Sequence, residues 1–301
     1  MHFSLYRYSL SLRHLDRKRS GILLYVQHDD GREGWGEMAP YPGRSTESLV
    51  RGIHELKAAM RALNERTPCP LLSPSVEFCL ESALSFQPPS SPIPFCTLLT
   101  GSKEEMMERT HALKGFSHVK IKVSALSTRD IEEIVHALHP NFVIRLDANR
   151  SFSYEEAKRR FAHLPVEYIE EPTHELHALE TLPFPFALDE SLSTIEVLPQ
   201  TKKLFALVLK PTIIGGKKMC SQWAKNHRAV LSSCYETGIG IARIAQMAQE
   251  MPHLLSPPGL DTYRFLENDV LLEPFRIRHG CLIPPNHFAV NFQRLEPISH
   301  D

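Results

Sequence analysis

The sequence predicts an α/β protein: a modified TIM-type (β/α)7β barrel over residues 91–251, with an N-terminal α+β capping domain over residues 1–90. Three observations lead there. From residue 94 to about residue 250, short apolar runs alternate with amphipathic stretches, the rhythm of repeated β-α units and a parallel sheet. Most of these runs stop on a charge: HVKIK on Lys122, FVIRLD on Asp147, VEYIE on Glu170, FALD on Asp189 and LFALVLK on Lys210. These charged residues lie 25, 23, 19 and 21 residues apart. A strand, a helix and two short loops need about 20–30 residues, so each interval is one unit.

The elements follow in order. Alternation of apolar and polar residues predicts strands over 3–13 and 21–28, and His28-Asp29-Asp30-Gly31 is a turn signal. A loop rich in Pro and Gly, APYPGRS, leads to helical stretches over 46–62 and 76–86. The segment QPPSSPIP (87–94) reads as a linker. Barrel strands are expected at 94–99, 117–123, 142–147, 166–171, 185–189, 205–210 and 229–233. Helical patterns such as KEEMMERTHALKG, TRDIEEIVHALH, SYEEAKRRFAHL and GIARIAQMAQEM lie between or after them. The Pro-rich tail, 252–301, is expected to return toward the first domain.

Composition narrows the function. A net charge of −1 gives no electrostatic footprint for nucleic acid or an anionic membrane, and no apolar run has the length of a membrane span. The N-terminus alternates and then turns basic, unlike a secretory signal, and the six cysteines are scattered without a CxxC pair. A cytoplasmic protein with reduced thiols is therefore expected. Oligomeric state is left open, a monomer among the options.

Residues at the C-terminal ends of parallel strands converge when the sheet rolls up. Lys120 and Lys122, two apart on one strand, share a face. Two adjacent ammonium groups disfavour each other's protonation, which suits one of them to act as a general base. Asp147, Glu170 and Asp189 would repel one another without a cation. An all-oxygen set without His or Cys favours Mg²⁺ over zinc. Asn149, two residues past Asp147, is placed to orient that ligand, and Arg145 to pair with an acid or hold a substrate carboxylate. Lys210 falls across the barrel from Lys122, with the metal between them. The turns after Lys210 and after Ser232-Ser233 lead into helices whose N-termini are expected to bind anions. Gly238-Ile239-Gly240 lacks the context of a nucleotide fingerprint, and His174-Glu175-Leu176-His177 has the wrong spacing for a zinc motif.

The order K-x-K, DAN, IEEP, LDES, LKP resembles the enolase superfamily, in its muconate-lactonising subgroup. The runs GWGEMAPYPGRSTESL, SSCYETGIGIARIAQMA and PGLDTYRFLENDVL narrow the resemblance to the o-succinylbenzoate synthase family of menaquinone biosynthesis. The resemblance implies Mg²⁺ on Asp147, Glu170 and Asp189. It makes Lys122 the base and then the acid in a dehydration, with Lys210 stabilising the enolate and Lys120 assisting. It gives Arg145 and the region around Ser232 to a small carboxylate substrate, and makes 38–45 a loop that closes over the site. Cys234 and Thr237 stand where that family has serines. Two alternatives stay open: a dipeptide epimerase or N-acylamino acid racemase on the same scaffold, which needs a base on each face, and a non-catalytic barrel. No Asp-x-Asp pair of the epimerase kind occurs in 229–250, and all six key residues are present.

Overall fold

The structure is a computed structural model that describes residues 1–13 and 16–299. It opens with three antiparallel strands, β1 (His2–Ser11), β2 (Lys18–Gln27) and β3 (Glu33–Met38), then helices α1 (Leu49–Glu65) and α2 (Pro74–Leu84). β2 is apolar on both faces because both are covered. Ile22, Leu24 and Val26 pack with α1 and α2 residues such as Leu56 and Cys79, whereas Leu23 joins Tyr8 and Trp35 in the larger core. Gly34 and Gly36 let α2 lie directly on β3: a Cβ at either would overlap the carbonyl oxygen of Ala83 or Cys79.

β4 (Ile93–Pro94) precedes the parallel sheet. Its strands are β5 (Thr97–Leu99), β6 (His118–Lys122), β7 (Val143–Asp147), β8 (Tyr168–Glu170), β9 (Phe186–Leu188), β10 (Leu204–Leu209) and β11 (Ala229–Leu231). All seven neighbour one another in chain order and pair in parallel. Helices α3 (Lys103–Thr110), α4 (Thr128–Leu138) and α5 (Tyr154–Phe161) fill the early crossovers. Each starts on a serine, Ser102, Ser127 or Ser153, whose hydroxyl accepts from a first-turn N–H, and two of them carry the full Ser-x-x-Glu box. The crossovers after β8 and β9 hold only 3₁₀ turns, Leu176–Thr181 and Glu190–Ser193, which fits their shorter spacing in the sequence. α6 (Pro211–Ile214), α7 (Lys217–Ala224) and α8 (Gly238–Glu250) complete the helical layer.

The tail divides in two. Residues 255–259 stay with the parallel sheet: Leu255 N–H donates to Ala229 O (2.7 Å), Gly259 N–H to Leu231 O (2.9 Å), and Cys96 N–H to Pro258 O (2.9 Å). That stretch thus touches both β11 and the approach to β5. Beyond it, β12 (Arg276–Arg278) and β13 (Cys281–Ile283) form a small sheet with β4, and β14 (Glu296–Ile298) pairs with β1.

A buried carboxylate ties the first sheet to the start of α8. Glu37 on β3 accepts from the Thr237 N–H (3.0 Å) and hydroxyl (2.6 Å), the Gly240 N–H (2.9 Å) and the Tyr8 hydroxyl. Asp269 accepts from the Gly238 N–H (2.9 Å). The N-terminus of α8 is therefore capped by the protein's own acids and offers no anion site, contrary to the expectation from sequence. Glu37→Ala strands several buried donors at once and is expected to lower stability by about 3 kcal/mol. Chemical denaturation of the purified variant measures this.

Candidate active site

Alternation along the strands sorts the side chains into two sets. Ile121, Leu146, Ile169, Leu188, Leu207 and Leu231 face the helices and belong to the main core. On the opposite face, Tyr168, Ala187, Ala206, Val208 and Val230 form a small apolar cluster of their own. One step further along the strands stand the charges. Lys122 is the register partner of Asp147, and Asp147 of Glu170. Asp189 and Lys210 follow immediately after β9 and β10. Lys120, Lys122, Asp147, Glu170, Lys210 and Ser232 line a cavity of about 280 Å³.

The three acids are almost fully buried, and ammonium and guanidinium groups accompany them. Lys120 Nζ bridges Asp147 Oδ2 (3.0 Å) and Glu170 Oε1 (2.6 Å). Asp189 pairs with Lys210, and Arg44 grips both of its oxygens (2.9 and 3.1 Å). Burial works against the charge on Lys120, but Asp147, Glu170 and Asp189 outweigh it and hold the ammonium well above its usual range. Lys210 is likewise pushed up by Asp189 and Glu170 despite burial. Burial also opposes the charge on Asp189, yet Lys210 and Arg44 hold its carboxyl below the ordinary range.

Lys122 differs from its neighbours. Its amine donates to Asn149 Oδ1 (3.0 Å) and stands 3.9 Å from Asp147 Oδ2. Its side chain is 36% exposed, against 16% for Lys120 and 12% for Lys210. It is the most exposed of the three amines that line the cavity.

Among the described residues, no three His, Cys, Asp or Glu side chains are assembled as a metal-binding cluster. Asp147 and Glu170 share the Lys120 ammonium, and Asp189 is paired with Lys210 and Arg44. The donor chemistry nevertheless fits a divalent ion. Glu170 Oε2 is buried without a hydrogen-bond partner. Burial, reinforced by Asp147 and Asp189 against Lys120, pushes the Glu170 carboxyl up to about 8. An orphaned hard oxygen in surroundings that disfavour its charge is what a divalent cation relieves.

Other expected residues sort differently. Asn149, held at φ 46°, orients Lys122 and donates from Nδ2 to Glu190 Oε1 (3.3 Å), while its N–H donates to Asp147 Oδ1 (3.2 Å). Ser232 lines the cavity, its hydroxyl turned to Gly259 O (3.3 Å). Arg145 is 2% exposed, donates to Glu167 (2.6 Å) and Pro257 O (3.0 Å), and lies 5.3 Å from the Tyr168 ring centre. It fastens β7 to the tail segment, while it also lines the cavity and keeps one buried guanidinium nitrogen, Nη2, without a hydrogen-bond partner. Arg145→Ala should therefore cost about 3 kcal/mol of stability in denaturant unfolding, with Arg145→Lys restoring little because the forked contacts need a guanidinium.

Sequence reasoning missed two residues. Arg44 reaches Asp189 from the 38–45 loop, and nothing in Pro-Gly-Arg-Ser marks it. Glu171 accepts from the Asp189 N–H (2.6 Å), the Ser191 N–H (2.8 Å) and the Ser191 hydroxyl (2.6 Å). It thereby fixes the backbone that carries Asp189. The Glu-Glu pair was a visible signal, with one acid for each face of the strand.

With this geometry in view, comparison with known proteins is specific. Residues 103–288 match the family model "Enolase C-terminal domain-like", and residues 1–86 match "MenC, N-terminal domain". The o-succinylbenzoate synthase of Haemophilus influenzae is 31% identical, over 89% of this chain and 92% of that protein. Among solved structures, o-succinylbenzoate synthase from Thermosynechococcus elongatus, described as complexed with Mg in the active site, superposes with a TM-score of 0.65 at 24% identity, covering 91% of this chain and 96% of that one. The L-Ala-D/L-Glu epimerase of Bacillus subtilis superposes with a TM-score of 0.75 at 21% identity, covering 96% and 97%, a likeness of fold alone. A buried ring of acids and amines at the ends of consecutive parallel strands, and sequence agreement along nearly the whole chain, place this protein in the enolase superfamily, within its o-succinylbenzoate synthase family.

Proposed function

We propose that the chain is a Mg²⁺-dependent o-succinylbenzoate synthase, removing water from 2-succinyl-6-hydroxy-2,4-cyclohexadiene-1-carboxylate. The observation that carries this reading is Lys122. It is the most exposed amine of the charged ring, oriented by Asn149 and facing a cavity whose other amines are locked to acids. The agreement in sequence with curated synthases supports the choice of substrate. The likeness to the epimerase is one of fold and adds no specific residue.

Asp147, Glu170 and Asp189 are the residues that would hold the metal. When bound, it supplies positive charge against the substrate carboxylate and makes the adjacent carbon acid stronger. Lys122 takes the proton from the carbon next to that carboxylate. The negative charge that develops is met by Lys120 and Lys210, both held protonated by their acid partners, so no charge has to be moved in as the reaction proceeds. Lys122 then returns the proton to the departing hydroxyl, and the ring becomes aromatic. One group serves as base and then acid, so proton and hydroxyl leave as water. The same reading makes 255–259 the eighth position of a closed (β/α)7β barrel, since its backbone bonds reach β11 on one side and Cys96 on the other.

Lys122→Ala should lower kcat by on the order of 10³-fold or more while leaving the melting curve unchanged, as expected for loss of a general base. Near-normal turnover by that variant removes Lys122 from the role. Chelation with EDTA should stop turnover and Mg²⁺ should restore it. Full activity of a demonstrably metal-free preparation contradicts the metal site.

A further inference from the structure

Arg44 sits at the junction of two cavities. Together with Val208 and Lys210 it lines both the 280 Å³ cavity and a second one of about 240 Å³. Asp189 lines the second cavity but not the first. The guanidinium spans both Asp189 oxygens (2.9 and 3.1 Å), and Lys210 shares one of them. One carboxylate thus carries two cations, while Asp147 and Glu170 face Lys120 across the larger cavity.

The segment bearing Arg44 is anchored at both ends but not in the middle. Arg19 donates to the carbonyls of Ala39 and Pro40, and Glu47 accepts from the Ser75 N–H (2.9 Å). Between these anchors, Tyr41 O accepts from the Arg44 and Ser45 N–H groups (3.0 and 2.9 Å), with Gly43 at φ 80°. This compact turn meets the parallel-sheet side through Arg44 and through the stacking of Tyr41 on Tyr235 (6.1 Å between ring centres). Arg44 also donates to Glu190 Oε1 (3.3 Å), so side chains join this turn to Asp189, Glu190 and Tyr235.

We propose that Arg44 is a displaceable occupant of the metal's place at Asp189. It neutralises that acid and closes the 41–46 turn while the site is without metal. Metal loading drives it off, because a divalent ion and a guanidinium cannot share the same carboxylate edge without like-charge contact. The freed guanidinium, held at the rim of the larger cavity by its anchored turn, then takes the substrate's distal carboxylate. This rests on the reading above that Asp147, Glu170 and Asp189 take a divalent metal.

The test is calorimetric titration of Mg²⁺ into metal-free wild type, R44Q and R44K, with steady-state kinetics on the same proteins and thermal melts to confirm folding. R44Q is expected to bind Mg²⁺ on the order of tenfold more tightly than wild type, since binding no longer has to break a charge-assisted fork. Its KM for the cyclohexadiene dicarboxylate should rise by a comparable factor, with kcat changed much less. R44K, which keeps the charge without the fork, should fall between the two. Equal or weaker Mg²⁺ binding by R44Q overturns the displacement and leaves the proposed activity standing. An unchanged KM overturns the carboxylate role. Absence of Mg²⁺ binding by wild type overturns the metal reading itself, and this inference with it.

Discussion

Removing a carboxylate from water costs several kcal/mol unless a compensating charge or donor is at hand. Asp147, Glu170 and Asp189 are each no more than 5% exposed, on neighbouring strands, so their charges also oppose one another. The structure is organised around meeting that cost. Lys120 on β6 answers Asp147 on the adjacent strand and Glu170 one strand further, and Lys210 answers Asp189 from the end of the next strand. The parallel register makes the pairing possible: it brings Asp147 level with Lys122 and Glu170, while Lys120, level with Arg145, reaches up to the acids from one step nearer the apolar floor. A shift of one residue would turn every one of these groups toward the helices.

The same balance underlies the chemistry proposed for the site. A lysine locked between two acids is held charged, a fixed positive pole in that proposal. The lysine held by one amide oxygen at the cavity edge is the one to which the proposal gives the proton transfer. Lys120 and Lys122 differ by two positions on one strand and face the same way, and their surroundings diverge because Lys120 is bracketed by Asp147 and Glu170 whereas Lys122 is held by Asn149. Asn149 and Glu171, both at positive φ, show how much of the surrounding loop geometry serves these few side chains.

Much of this was legible in the amino-acid sequence. A two-residue period and a repeat of about one β-α unit are local signals, so the seven strands, their order and the alignment of charges at their ends could be read directly. What escaped reading depends on contacts distant in the chain. Arg44 meets Asp189 across 145 residues, and a turn of Pro-Gly-Arg-Ser carries no periodicity that points inward. Arg145 shares a face with Asp147 and lines the cavity, but its contacts with Glu167 and Pro257 O come from beyond its own strand, and no strand pattern reveals them. The N-terminus of α8 looked open to anions because the acids that fill it, Glu37 and Asp269, come from opposite ends of the chain.

The pairing of β14 with β1 has a consequence for how such proteins are recombined. The outer strand of the N-terminal sheet is contributed by residues 296–298, so that sheet is discontinuous in the gene. A chimera that borrows only the first ninety residues of a relative would marry a foreign β1 to a native edge strand, and the graft would be strained before any chemistry was tried. Swaps intended to change substrate preference need to carry both ends of the coding sequence together.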